Sequence, residues 1–165
     1  MKNSPLHTWN KKMNKNFYIE IHLKKNFFDA FGDDLKKSII EMGITGINNI
    51  YVSDIYFLQG EISKKEMEKI AKNLFLDSIT QTLTIYTKPP EVHNKKIIEV
   101  WYKKQVSDPV SITALKGIKD MGINKNIQIR CGKKYQIDAD IDKDITETIC
   151  KKLIANTLIQ DYRIS

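Results

Sequence analysis

Apolar residues change their period along this chain, and each change marks an element. From Tyr18 to Lys24 they alternate, with Ile19, Ile21 and Leu23 on one side, which predicts a strand half buried on a core. Leu35, Ile39 and Met42 then recur at helical spacing, which predicts a helix from Asp33 to Met42. Gly43 sits where a C-terminal glycine cap belongs. Ile47 to Val52 and Ile55 to Leu58 read as two strands meeting near Ser53-Asp54. Ser63 and Glu66 form a capping box. It opens a helix with the stripe Met67, Ile70, Ala71, Leu74 and Phe75, and Thr82 to Tyr86 is a closing strand.

The pattern then starts again. Displaced by 79 positions, Ile19-Glu20-Ile21 falls on Ile98-Glu99-Val100, Met42-Gly43-Ile44 on Met121-Gly122-Ile123, and Leu74 on Leu153. A second strand is expected at Ile97 to Tyr102, then a helix bearing Ala114, Ile118 and Met121. Strands follow at Ile127 to Cys131 and Tyr135 to Ala139, separated by Gly132-Lys133. Asp142 is the N-cap candidate of a helix with the stripe Ile149, Cys150, Leu153 and Ile154, and Asp161 to Ile164 closes the repeat. Self-similarity at this period makes a tandem of two small modules.

Strand-helix-strand-strand-helix-strand is the ferredoxin-like order. The expected fold is therefore α+β. It has two tandem ferredoxin-like βαββαβ repeats, each a four-stranded antiparallel sheet with both helices on one face. The second copy covers what the first leaves open, so the two pack as an internal pseudo-dimer. The repeats are residues 17–86 and 97–165. Residues 1–16 are a basic leader without periodicity, expected to be disordered. Residues 87–96 are a linker stiffened by Pro89-Pro90. A single repeat has a marginal core, so the halves are expected to pack together or to associate further.

Charge and cysteine content narrow the classes. The 165 residues carry a net charge of +7 from 27 basic and 20 acidic side chains, which invites a nucleic-acid partner. Only Arg130 and Arg163 are arginines, however, and arginine is the side chain suited to bidentate phosphate and base recognition. A nucleic-acid partner is therefore discounted. No run of apolar residues is long enough to span a bilayer, so no membrane role is expected. The polar N-terminal residues and two cysteines at non-motif spacing, Cys131 and Cys150, point to a reducing cytoplasm.

Catalytic chemistry is scarce. Gly32-Asp-Asp-Leu-Lys-Lys-Ser38 lacks the glycine pair and the Gly-Lys-Ser ending of a phosphate loop. His7, His22 and His93 are scattered, and none stands at metal-ligand spacing from a cysteine or carboxylate. Asp29, Asp33 and Asp34 cluster before a helix, where capping and dipole compensation explain them better than Mg²⁺ binding. Two features stand out. Lys24-Lys25 and Lys103-Lys104 follow the first strands, with Asp29 and Asp108 four residues beyond. The chain closes on Lys152-Leu-Ile-Ala-Asn-Thr-Leu-Ile-Gln-Asp-Tyr162.

On these residues the chain resembles the PurS family, the small subunit of phosphoribosylformylglycinamidine synthase, and the PurS-like N-terminal domain of single-chain versions of that enzyme. The family's first strand runs into a segment like Leu-Lys-x-x-x-x-Asp-Pro-x-Gly. Here it reads Leu23-Lys24 through Asp29-Ala30-Phe31-Gly32, and again Lys103-Lys104 through Asp108-Pro109-Val110-Ser111. The family's closing segment is like Lys-Leu-Leu-Ala-Asn-Pro-Val-Ile-Glu-Asp-Tyr. Ala30 and Ser111 each depart from the first pattern, and Thr157 replaces the usual proline of the second.

The resemblance implies a subunit with no catalytic residue, cofactor or metal of its own. It would bridge a PurL-type synthetase and a PurQ-type glutaminase in purine biosynthesis and help shield ammonia in transit. ATP, Mg²⁺ and glutamine would serve the complex. The family subunit is a single repeat that dimerises, so two fused repeats imply a built-in dimer. Lys24, Lys25, Asp29, Lys103, Lys104, Asp108, Asn156, Asp161 and Tyr162 are the implied partner contacts. Two alternatives remain. A tandem ACT-like module would bind a small ligand such as an amino acid, although Ser111 replaces its glycine turn in the second repeat. A ferredoxin-like RNA binder would use the open sheet face, with Tyr51, Tyr56 and Tyr135 as stacking candidates.

Overall fold

The computed structural model describes residues 15–87 and 96–165. The expectations for Pro89-Pro90 and for residues 1–14 of the leader lie outside these residues, while Lys15 and Asn16, expected in the leader, begin the first strand because they pair with Gly60 and Gln59. In chain order the elements are β1 (Lys15–Leu23), α1 (Ala30–Glu41), β2 (Ile47–Gly60), α2 (Lys64–Ile70), β3 (Gln81–Tyr86), β4 (Lys96–Tyr102), α3 (Pro109–Asp120), β5 (Ile127–Ala139), α4 (Lys143–Ile149) and β6 (Gln160–Ile164). A π-helical turn extends α2 over Ala71–Phe75 and another extends α4 over Cys150–Ile154. Both close through i to i−5 bonds, Leu76 N–H to Ala71 O at 3.1 Å and Ala155 N–H to Cys150 O at 2.8 Å.

The α+β class and the alternation of strands and helices stand as expected, and the sheet arrangement does not. There is one six-stranded antiparallel sheet of order β3-β1-β2-β5-β4-β6, in place of two four-stranded sheets packed on each other. The cause lies at Ser53-Asp54 and Gly132-Lys133. The chain was expected to separate into two strands at each place, and it runs straight on instead. β2 and β5 are each a single long strand. Only part of β2 is matched by β1, which pairs with Ser53 to Gly60. The unmatched half would expose a row of N–H and C=O groups, and β5 supplies partners along its whole length, from Ile47↔Ala139 to Gly60↔Ile127.

The β2–β5 register is symmetric about Asp54↔Lys133, two residues that the 79-residue shift superposes. A pseudo-two-fold axis therefore passes through this pair. The helices follow it across the seam. One core joins Phe17, Ile19, Ile21 and Met67 of the first repeat to Ala114, Ile118 and Ile129 of the second. The other joins Ile39 and Ile50 of the first to Ile98, Ile137, Ile149 and Cys150 of the second. Each core is thus built from both repeats, and neither repeat closes a core with its own residues alone.

Local chemistry explains where the helices start and stop. The Ser63–Glu66 capping box is present in full. Asp142 caps α4 by accepting from Ile145 N–H at 2.7 Å. Gly43 and Gly122 both take φ 81°, the left-handed conformation that ends α1 and α3 cheaply. Gly32 answers a different need. A methyl group there would overlap the Ile50 carbonyl oxygen, so α1 meets the β2 backbone directly. The second repeat holds Ser111 at this place, with its hydroxyl donating to Asp108 O at 2.9 Å.

Gly32→Ala should therefore destabilise the protein by about 3 kcal/mol, a fall in Tm of roughly 6–12 °C, whereas Ser111→Ala should change Tm little; thermal unfolding of the two variants checks this. A second prediction concerns acid. Lys125 of the second repeat donates to Glu66 of the first at 2.7 Å. That bond, with those from Ser63, holds the Glu66 carboxyl down at about 2. A depressed carboxylate contributes stability above its unfolded value near 4.5, and that stability fades as pH falls toward 2. Tm measured from pH 5 to pH 2 should fall less steeply in Lys125→Met than in the parent chain.

Candidate functional site

The Lys-x-x-x-x-Asp spacing does the same structural work in both repeats. Asp29 sits at the N-cap of α1. Its Oδ1 accepts from Gly32 N–H at 2.9 Å, and its Oδ2 accepts from Val52 N–H at 2.8 Å. Asp108 caps α3 through Val110 and Ser111 N–H at 3.0 and 3.1 Å, and accepts from Cys131 N–H at 3.0 Å. One carboxylate thus holds a helix start and the middle of a long strand at once. The Mg²⁺ reading of the acidic cluster gains no geometry from this. Asp29 is engaged as described, and Asp33 pairs with Lys37 at 2.7 Å. Among the described residues no group of three or more His, Cys, Asp or Glu could hold a metal ion.

Lys24 and Lys103 face the other way along the motif. Lys24 Nζ donates to Ser78 O at 2.7 Å and Ile79 O at 2.9 Å. Lys103 Nζ donates to Thr157 O at 2.7 Å. Backbone bonds join the same segments, Lys24 N–H to Thr80 O and Lys103 N–H to Ile159 O. Each repeat therefore binds two loops into one corner: the turn after its first strand and the loop before its last. Lys25 and Lys104 remain exposed there.

Asn156 organises the second of these loops. Its Oδ1 accepts from Leu158 N–H at 3.2 Å, and Gln160 Oε1 accepts from its backbone N–H at 2.9 Å. Asp77 does the same in the first repeat, through Ile79 N–H at 2.9 Å and Gln81 Oε1 at 2.9 Å. The closing motif is thus a loop-forming sequence. Asp161 stands exposed on β6, and half-buried Tyr162 packs against the second core. The nine candidates fall at two pseudo-symmetric corners, apart from Asp161 and Tyr162 on the adjoining edge strand.

Periodicity gives no weight to the apolar side chains that these corners display, of which Leu158 lies within the Asn156–Tyr162 closing segment implied as a contact. Phe28 is 73% exposed and Ile79 75% in the first, and Leu158 is 83% exposed in the second. The signal was available, because Ile79 and Leu158 are superposed by the repeat and neither belongs to a core stripe.

A cleft of about 220 Å³ opens at the pseudo-axis on the helix side, lined by Asp54, Tyr56, Cys131, Lys133, Tyr135 and Ile154 among others. It breaks the symmetry. Phe75 stacks on Tyr56 at 4.1 Å, while the smaller Ile154 stands at the equivalent position beside Tyr135. Tyr56 and Tyr135 thus lie on the helix-covered face, away from where an RNA-stacking surface would need them. Burial, and then Asp108 and Asp54, push the Cys131 thiol up to about 12, so it stays protonated at neutral pH. Its alkylation by iodoacetamide at pH 8 should be slow in the native protein and should speed up by orders of magnitude on unfolding in guanidinium.

Comparison with known proteins gives two matches. A family model described as PurS, phosphoribosylformylglycinamidine (FGAM) synthase, matches residues 95–165, which span β4 to β6. Over 71 residues the chain is 34% identical to phosphoribosylformylglycinamidine synthase subunit PurS of Bacillus subtilis (strain 168), an overlap of 40% of this chain and 83% of that protein.

Proposed function

The chain belongs to the PurS family of phosphoribosylformylglycinamidine synthase, and from that premise we propose that it is the non-catalytic subunit that joins a glutaminase to a synthetase in this purine-biosynthetic enzyme. In this reading the partners carry the ATP, Mg²⁺ and glutamine chemistry. Ammonia released at one site has to reach the other before it is protonated or lost to solvent, because ammonium has no lone pair with which to attack. A scaffold meets that need by shape and by holding its partners in register.

The observation that carries the reading is the pair of corners. Both family motifs converge there, and both are spent on holding loops whose apolar residues point outward. Lys24, Asp29, Lys103, Asp108 and Asn156 are then frame, and Phe28, Ile79 and Leu158, with Lys25 and Lys104, are contact. Exposed apolar side chains on a rigid frame suit protein docking, since little ordering entropy is lost on binding. Asp161 and Tyr162 extend the contact along the edge strand.

Reconstitution with the synthetase and glutaminase subunits from the same cell tests this. Glutamine-dependent synthase activity should require this chain, and activity supported by added ammonium chloride should not. Leu158→Asp and Phe28→Asp should each weaken co-purification at least tenfold while Tm stays within about 2 °C, because neither side chain is buried. Equal glutamine-dependent activity with and without the chain would refute the assignment.

A further inference from the structure

The repeat superposes the two sides of the β2–β5 seam, so residues that meet across it can be compared with what self-pairing would bring together. On the axis, Asp54 meets Lys133 at 2.8 Å. A self-paired first repeat would set Asp54 against Asp54, and a self-paired second repeat Lys133 against Lys133. This pair is 40–47% exposed, so the penalty at this point is modest.

The face away from the helices decides the matter. Glu20 is buried on β1, and both its oxygens accept from Lys134 Nζ of the second repeat, at 2.9 and 2.8 Å. Ser53 Oγ donates to it at 3.1 Å. The repeat superposes Lys134 on Ile55, which is fully buried. Self-pairing of the first repeat would therefore place Ile55 where Lys134 stands and leave two buried carboxylates without a cation. Removing one partner of a buried ion pair is far more costly than removing an exposed pair.

The second repeat gains from unlike pairing as well. Glu99, the counterpart of Glu20, accepts from Tyr18 OH at 2.6 Å. Burial and then Glu99 hold that hydroxyl far above the ordinary phenol range, so it serves as a donor. Ile97 occupies the equivalent position and has nothing to donate, although Arg163 at 3.2 Å and the cross-strand Lys134 still give Glu99 a cation within its own repeat, so the loss on that side is the smaller one.

We propose that the β2–β5 seam is coded for unlike halves from the first repeat's side, so that its seam edge accepts the second repeat and rejects a copy of itself. A chain of this family that holds both repeats then presents one corner of each kind, in a fixed arrangement, to its partners. This is a statement about partner choice within the chain and stands apart from which enzyme the chain serves.

Substitutions in the full chain that make the seam symmetric test it by thermal unfolding and sedimentation. K133D/K134I gives both halves the first repeat's residues and should lower Tm by about 8 °C or more. D54K/I55K gives both halves the second repeat's residues, keeps a lysine for each buried glutamate, and should lower Tm less than K133D/K134I does. The exchange D54K/K133D restores an unlike axis pair and should sediment as the parent does and melt within about 2 °C of it, while K133D alone should fall below it. E20Q should recover most of the loss in K134I, because a neutral amide no longer needs a cation and can keep the Ser53 bond. K133D/K134I as stable as the parent or no less stable than D54K/I55K, an exchange no better than K133D, or no rescue by E20Q would overturn the proposal.

Discussion

Two unmatched half-strands, one in each repeat, are the constraint from which this architecture follows. β2 and β5 run well past the strands beside them in their own repeats, and a buried backbone left unpaired is not tolerated. They pair with each other, and that pairing sets the pseudo-axis at Asp54–Lys133. Once the axis is set, α1 and α3 rest on the overhanging halves of β2 and β5, and strands and helices of the other repeat complete each core. The interleaved cores are thus a consequence of strand length.

The aspartates of the two Lys-x-x-x-x-Asp segments make this crossing durable. Asp29 and Asp108 each bind a helix N-terminus and, 23 residues later, the backbone of a long strand. Those strand contacts, Val52 and Cys131, stand symmetrically two residues from the axis. The lysines at the other end of each segment reach outward and close the corner loops. Helix crossing and corner geometry are therefore coupled through a few residues, so a spacing that looks like a binding motif is first of all an architectural one.

Much of this was legible in the sequence, and the misreading is instructive. Caps and glycine stops came from local rules, and they hold because neighbouring residues alone decide them, as Ser63–Glu66 and Gly122 show, whereas the helix stripes hold only in part, since Leu74 and Leu153 are exposed. The turn expected at Ser53-Asp54 failed because its signal was only a pair of polar residues between apolar runs. Whether such a pair turns or continues depends on a distant strand, and Ser53 and Asp54 continue because Lys134 and Lys133 receive them. The last turns of α2 and α4 widened into π-helix, which a 3.6-residue stripe cannot distinguish from α-helix. At the corners the framework residues were legible as motif. The exposed Phe28 was not, because a single apolar residue in a loop carries no periodicity, whereas Ile79 and Leu158 were marked only by their superposition in the repeat.

Duplication also frees positions that symmetry would constrain. A residue on the axis of a homodimer faces its own copy and cannot be acidic on one side and basic on the other. In a fused chain the two copies can diverge, and three of the many differences between them lie at or beside the axis: Asp54 against Lys133, Ile55 against Lys134, and Phe75 against Ile154. The first two pairs shape the seam, and the third decides on which side of the axis the cleft opens. The superposed caps Asp29 and Asp108, and the stops Gly43 and Gly122, stayed alike because each serves its own helix whatever lies across the axis. The differences that face the axis thus make the seam unlike, while the retained caps and stops keep each helix in its place.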